Sequence, residues 1–197
     1  MQITSYRIVL ASNSPRRKEL LSGIDVDYEI FTLPEVDESY PETLPTEEVA
    51  QFLSQKKAAA YAHLFDEDTL LITADTVVVL NDKILGKPRD KEEAKRMLRM
   101  LSAQTHLVVT GVCLTTKDKQ HCFSETAKVT FGSLSDEEIN YYVEKYLPMD
   151  KAGAYGVQEW IGYVAVKKIE GSYFNVMGLP IYEVYQAIKS FESTTAQ

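Results

Sequence analysis

Apolar and polar positions alternate between two periods along this chain, and the changes of period mark its elements. Ile8 to Ala11 is a short apolar run with strand character. It leads through a tight polar turn into a helix that starts at Ser14 and carries Leu20 and Leu21 as apolar anchors, with Gly23 as its C-cap. Tyr28 to Leu33 alternates as a second strand. From Thr46 to Phe65, Val49, Phe52, Leu53, Ala60 and Leu64 recur at helical spacing. Thr69 to Leu80 is the most apolar and β-branched segment and reads as a central strand covered on both faces.

The second half continues the alternation. Asn81-Asp82 is a turn, and Lys83 to Leu85 returns as a short strand. Asp90 and Glu93 resemble a capping box before a helix whose stripe is Ala94, Met97, Leu98 and Leu101. Thr105 to Thr116 and His121 to Ser133 are strands expected to pair antiparallel across a polar turn, and Ser135 with Glu138 opens a helix that Pro148 stops. Asp150 to Gln158 is a loop, Tyr163 to Ile169 and Tyr173 to Val176 read as a last hairpin, and Pro180 opens a final helix to about Phe191. Residues 192–197 read as a disordered tail. This order predicts an α/β protein, a mixed sheet with helices on its faces, in one domain over 1–197.

Composition restricts function. At 197 residues and 45% apolar content the chain can bury a real core, and no apolar run is long enough for a membrane span. Without a signal-peptide pattern, the expectation is a soluble cytoplasmic protein with no membrane partner. A net charge of -8 argues against general nucleic-acid binding, while leaving room for a small polyanion in one basic pocket. Cys113 and Cys122 lack Cys-x-x-Cys spacing; they indicate neither a disulfide framework nor a zinc site and fit a reducing compartment.

The candidate chemistry starts at the first strand-to-helix turn. Ser14 as N-cap, Pro15 at the first helical position, and Arg16 and Arg17 in the first turn together form an anion site. The alternative is an ordinary capped surface helix, but basic residues oppose the dipole at this end by about 0.3–1 kcal/mol each unless an anion is nearby. Lys57 falls on the apolar row of its helix, where it either snorkels to water or enters a pocket. Asp75 interrupts the central strand, and an ionised carboxylate there needs a partner, a metal or a cleft. The segment Pro34 to Pro45, with Glu35, Asp37, Glu38 and Glu42, is either a solvated acidic loop or a functional one. Gly86-Lys87-Pro88-Arg89 adds cations, and Gln158 offers a donor and an acceptor to a base edge. No P-loop, no Gly-x-Gly-x-x-Gly and no metal-ligand spacing among His63, His106 and His121 is present, so the histidines read as ordinary surface or strand residues. What remains, Arg16, Arg17, Lys57 and Lys87 with Glu38 and Asp75, suits a polyphosphate and a divalent cation.

LASNSPRRKELL, Glu38, Lys57-Ala58, TADTVV, GKPRD, DKAGAYGVQ and GSYFNVMGLP, in this order, resemble the Maf family of nucleoside triphosphate pyrophosphatases. The resemblance implies an inosine triphosphate pyrophosphatase-like fold, an elongated mixed sheet flanked by helices with a cleft between two lobes, and a homodimer. It implies house-cleaning hydrolysis of a nucleoside triphosphate to monophosphate and pyrophosphate with Mg2+ or Mn2+. By position, Asp75 looks like the catalytic acid, Glu38 its acidic companion and co-ligand of the metal, and Lys57 and Lys87 catalytic cations. Ser12, Ser14, Arg16, Arg17, Thr76 and Gln158 match substrate-binding positions. Thr76 and Gly156-Val157-Gln158 resemble the branch acting on dTTP and UTP more than the branch acting on 7-methylated guanosine triphosphate. Glu159-Trp160-Ile161 and Thr73 depart from the pattern, where small Gly-rich residues and a glycine are usual. A non-catalytic nucleotide-binding regulator and a nucleotidyl or phosphoryl transferase are the rival readings.

Overall fold

The computed structural model describes residues 3–34, 36–61 and 63–191. Glu35 of the acidic segment and the tail 192–197 lie outside the described residues. The elements run β1 (Arg7–Leu10), α1 (Pro15–Ser22), β2 (Tyr28–Ile30), α2 (Val49–Tyr61), β3 (Thr69–Leu80), β4 (Lys83–Leu85), α3 (Lys91–Leu101), β5 (Thr105–Thr115), β6 (Gln120–Phe131), α4 (Asp136–Tyr146), α5 (Trp160–Ala165), β7 (Val166–Glu170), α6 (Tyr173–Met177) and α7 (Ile181–Ser190). They form a mixed seven-stranded sheet, ordered β2-β1-β3-β5-β6-β7 with β4 paired to β3. β1 pairs in parallel with β2 and β3, whereas β3–β4 and β6–β7 are antiparallel.

Contacts divide the chain into two compact units, and β3, β5 and β6 contribute residues to both. The first holds residues up to Asp75, Thr110–Glu125 and those from Gly178 on. In it Val9, Ala11, Tyr61 and Leu71 are buried together, with Leu33, Val36, Ala60 and Phe65 packed against them. This is why the apolar row of α2 faces inward. The second unit holds Thr76–Val109 and Thr126–Met177. There α3 packs on α4, and Lys91 and Lys95 both reach Glu144 across that contact. Ser135 forms the full reciprocal capping box with Glu138. Asp90 caps α3 by accepting from the Glu93 amide, but the Glu93 carboxylate accepts from the Arg89 amide instead of closing the box.

Two expectations are corrected. The last hairpin does not form: Trp160–Ala165 and Tyr173–Met177 are helices, and only Val166–Glu170 is a strand, paired to β6. Ser172 explains the second helix. Its hydroxyl accepts from the Asn175 amide, an N-cap interaction, and the Asn175 side chain, fully buried, donates to the Val108 carbonyl. Second, Cys113 and Cys122 form a disulfide. The turn closed by the Thr116 amide on the Lys119 carbonyl joins β5 to β6 and leaves the two Cα atoms 4.2 Å apart, a consequence of strand register that residue spacing alone does not reveal. Among the described residues no helix is long and apolar enough to cross a membrane.

Candidate active site

The turn after β1 is built by two serines. Ser12, buried, accepts from the Ser14 amide at 3.2 Å, and Ser14, extended at φ -60° and ψ 118°, accepts from the Arg17 amide at 3.5 Å. Pro15 follows at the first helical position, and the first turn of α1 holds no acid. The helix start, with no acid in its first turn and Arg16 and Arg17 beside it, concentrates positive charge at this end of α1. Arg17 is committed to the scaffold as well: Nε donates to the Gly178 carbonyl and Nη1 to the Ala74 carbonyl, each at 2.8 Å. It thereby ties α1 to β3 at the residue before Asp75. Burial pulls the Arg17 pKa down, Asp75 opposes that shift, Arg16 adds to it and Glu38 opposes it again. Such a guanidinium stays charged, so the four groups belong to one electrostatic cluster.

β3 is buried along its length except at Asp75 and Thr76, which are half-buried. Asp75 meets Lys57 of α2: Nζ lies 2.5 Å from Asp75 Oδ1 and 2.9 Å from Glu38 Oε1. The Lys57 and Asp75 side chains are 14% and 15% exposed and that of Glu38 50%, so the ammonium is withdrawn from water while one carboxylate faces it. Lys57 thus ends in an ion-paired cluster with Asp75 and Glu38 instead of snorkelling to water. Thr73, two residues before Asp75 and on the same strand face, donates to the Ser54 carbonyl at 2.7 Å, one turn before Lys57. That bond fixes the height of α2 over β3. Thr73 stood out in the sequence only as a departure from the expected glycine; its hydroxyl is the feature that the sequence did not interpret.

The acidic segment is exposed to solvent but tethered to α2. Asp37 accepts from Lys56 Nζ at 2.6 Å and from the Ser39 amide and hydroxyl, and Lys56 also donates to the Ser39 carbonyl. The Lys56 hydrogen bond holds the Asp37 pKa down, to about 2, with the Ser39 bonds adding to it. Successive lysines of α2 therefore grip successive acids of the segment, and Glu38 is delivered to Lys57.

In the second unit, Lys87 is exposed between β4 and α3. The carbonyl of Gly86 beside it accepts from the Gly153 amide at 3.1 Å, which joins the Lys87 segment to the 150–158 loop. His106, buried in β5, bonds through Nε2 to the Tyr155 hydroxyl at 2.8 Å and steadies the same loop. At its end Gln158 Oε1 is buried and has no hydrogen-bond partner in the protein. An acceptor so placed costs free energy until a donor arrives.

Glu38 and Asp75 are hard oxygen donors that converge on one cationic atom, which suits Mg2+ or Mn2+. Among the described residues no group of three or more acidic, histidine or cysteine ligands exists. Two carboxylates from the protein, with phosphate and water completing the sphere, is the usual arrangement for Mg2+ at a nucleotide.

The Maf-like protein family model matches residues 7–191. A dTTP/UTP pyrophosphatase of Bacteroides fragilis is 58% identical over 93% of this chain and 95% of its own length. A dTTP/UTP pyrophosphatase of Phocaeicola vulgatus is 54% identical over 95% of this chain and 97% of its own, and one of Porphyromonas gingivalis is 54% identical over 96% of both. With the family model spanning every element from β1 to α7 and relatives this similar along their whole length, the chain belongs to the Maf family.

Proposed function

We propose that this protein is a nucleoside triphosphate pyrophosphatase that cleaves dTTP or UTP between the α- and β-phosphates, giving the monophosphate and pyrophosphate. The observation that carries the reading is the Glu38–Lys57–Asp75 cluster in the same unit as the Ser14 helix start and Arg16. A water-activating acid and an anion cradle are the two parts that phosphoanhydride hydrolysis needs.

Asp75 accepts a proton from the attacking water as its oxygen bonds to phosphorus, and the bridging P–O bond breaks. Arg16 and the positive end of the α1 dipole hold phosphate oxygens, and Arg17, fixed by two carbonyls, adds positive charge without moving. Lys57 neutralises the carboxylates before substrate arrives and then the charge on departing pyrophosphate. A divalent cation held by Glu38 and Asp75 would supply further charge neutralisation and lower the pKa of water. The buried acceptor of Gln158 matches the N3–H of uracil or thymine, and Thr76 lies next to Asp75 on β3. The close relatives bear the dTTP/UTP name, which supports the same base choice here. A homodimer working in the cytoplasm completes the reading.

The test is product analysis with purified protein, Mg2+ or Mn2+, and a panel of pyrimidine, purine and 7-methylguanosine triphosphates. Monophosphate and pyrophosphate from dTTP and UTP at the highest kcat/KM, abolished by a chelator, is the expected result. Binding without turnover, or a requirement for an acceptor substrate, overturns it.

A further inference from the structure

The turn that carries Gln158 is pinned from both sides by a single hydroxyl. Tyr142 of α4, fully buried, accepts from the Gly156 amide at 3.0 Å and donates to Glu159 Oε2. Burial, reinforced by the Glu159 carboxylate, raises the Tyr142 pKa, so the phenol remains a donor at any working pH. Glu159 also accepts from Lys151 Nζ at 3.1 Å, and Lys151 is buried. The Glu159 amide donates to the Gly156 carbonyl at 3.0 Å and closes the turn 156–159. The ion pair lies directly on Gly156: a Cβ added there would stand 2.9 Å from the Glu159 carboxyl carbon and 3.1 Å from Lys151 Cε. Gln158 is thus held between two tethered residues, and its buried acceptor depends on them for direction.

We propose that Glu159, with Tyr142 and Lys151, is a positioning residue that fixes the Gln158 amide for discrimination of the nucleobase, although none of the three touches substrate. This rests on the reading of Gln158 as the contact to the base. A rigidly aimed acceptor selects an imide N–H over a ring that presents an acceptor, and a turn free to tilt loses that selection.

The test compares the native protein with Tyr142→Phe, Glu159→Ala and Glu159→Gln. Backbone amide exchange over 156–159 should quicken at least tenfold in Tyr142→Phe and Glu159→Ala and less in Glu159→Gln, which still offers Tyr142 an acceptor. On turnover, KM for UTP should rise about tenfold, more than kcat falls, and the preference for UTP over ATP, whose ring N1 is an acceptor, should drop by a similar factor, with Glu159→Gln recovering most of it. Unchanged exchange overturns the clamp, whatever the substrate. Quickened exchange with the base preference intact overturns the positioning role. If the native protein shows no pyrimidine preference while exchange still responds, the assignment of Gln158 fails and the clamp stands. Glu159→Gln, the mildest change, supplies these readouts if the other variants do not fold.

Discussion

Lys57 Nζ stands 2.5 Å from Asp75 Oδ1 across 18 residues of sequence, and Glu38 Oε1 reaches the same ammonium at 2.9 Å. Asp75 is therefore a paired carboxylate at a gap in an otherwise buried strand, and the proposed reaction makes it the base. Asp75→Asn keeps the shape and removes the base. Turnover should fall by roughly 10²–10⁴, the range for loss of a general base, while UTP still binds and the melting temperature stays within a few degrees. The measurement is kcat beside equilibrium nucleotide binding; near-native kcat would remove Asp75 from the reaction.

Removing the cation has a different signature. Lys57→Met leaves Glu38 and Asp75 facing each other with no positive charge between them, and one of the two is withdrawn from water. Breaking a buried pair costs about 3–5 kcal/mol, but the half-exposed Glu38 reduces the penalty here to roughly 1–3 kcal/mol. Urea unfolding of the apo protein should show that loss, and a divalent cation should restore part of it by occupying the vacated charge. A variant as stable as the native protein, with no response to the cation, would mean that the carboxylates do not share the lysine.

How much of this could be read from sequence follows the range of the interactions. The start of α1 was legible because an N-cap, a proline and two arginines act within four residues. Asp75 was legible as a polar break in an apolar strand, and Lys57 as a charge on an apolar row, but the Thr73–Ser54 bond that helps set the level at which they meet was not. The last hairpin was misread because Tyr163 and Val164 carry β-type side chains that the fold leaves exposed, at 83% and 46%, so their propensity had no face to bury. Ser172 was the overlooked signal. The disulfide and the Tyr142–Glu159 bond depend on partners 9 and 17 residues away, which no local pattern pairs.

The loop that ends in Gln158 should also respond to acid. Burial holds His106 down at about 4, from an ordinary 6.5. The unfolded chain therefore binds a proton that the folded one refuses, and stability rises with pH between these values. On acidification the contribution is intact above about 6.5 and is lost progressively down to about 4, up to roughly 3 kcal/mol at 1.36 kcal/mol per pH unit. His106→Gln, which cannot titrate, should flatten this part of the curve when unfolding free energy is followed from pH 7 to pH 4. An unchanged slope would show that the ring already ionises freely in the native state.

The seat of α2 gives the sharpest structural prediction. A Cβ on Gly111 of β5 would lie 2.3 Å from both the Ala50 carbonyl carbon and the Gln51 nitrogen, so the first turn of α2 rests on bare strand backbone. Backbone atoms cannot swing aside as a side chain can, and the helix must lift as a unit. Overpacking costs about 1–3 kcal/mol where side chains can adjust, and Gly111→Ala should sit at or above that upper limit. Because Lys57 lies two turns along the same helix, lifting α2 also stretches its contacts with Asp75 and Glu38, and kcat should fall in the fraction that remains folded. Alanine would then damage catalysis from a position that carries no polar side chain. Native stability and activity together in Gly111→Ala would refute the close seating of α2 on β5, and with it the account of how Lys57 is held at its height above the sheet.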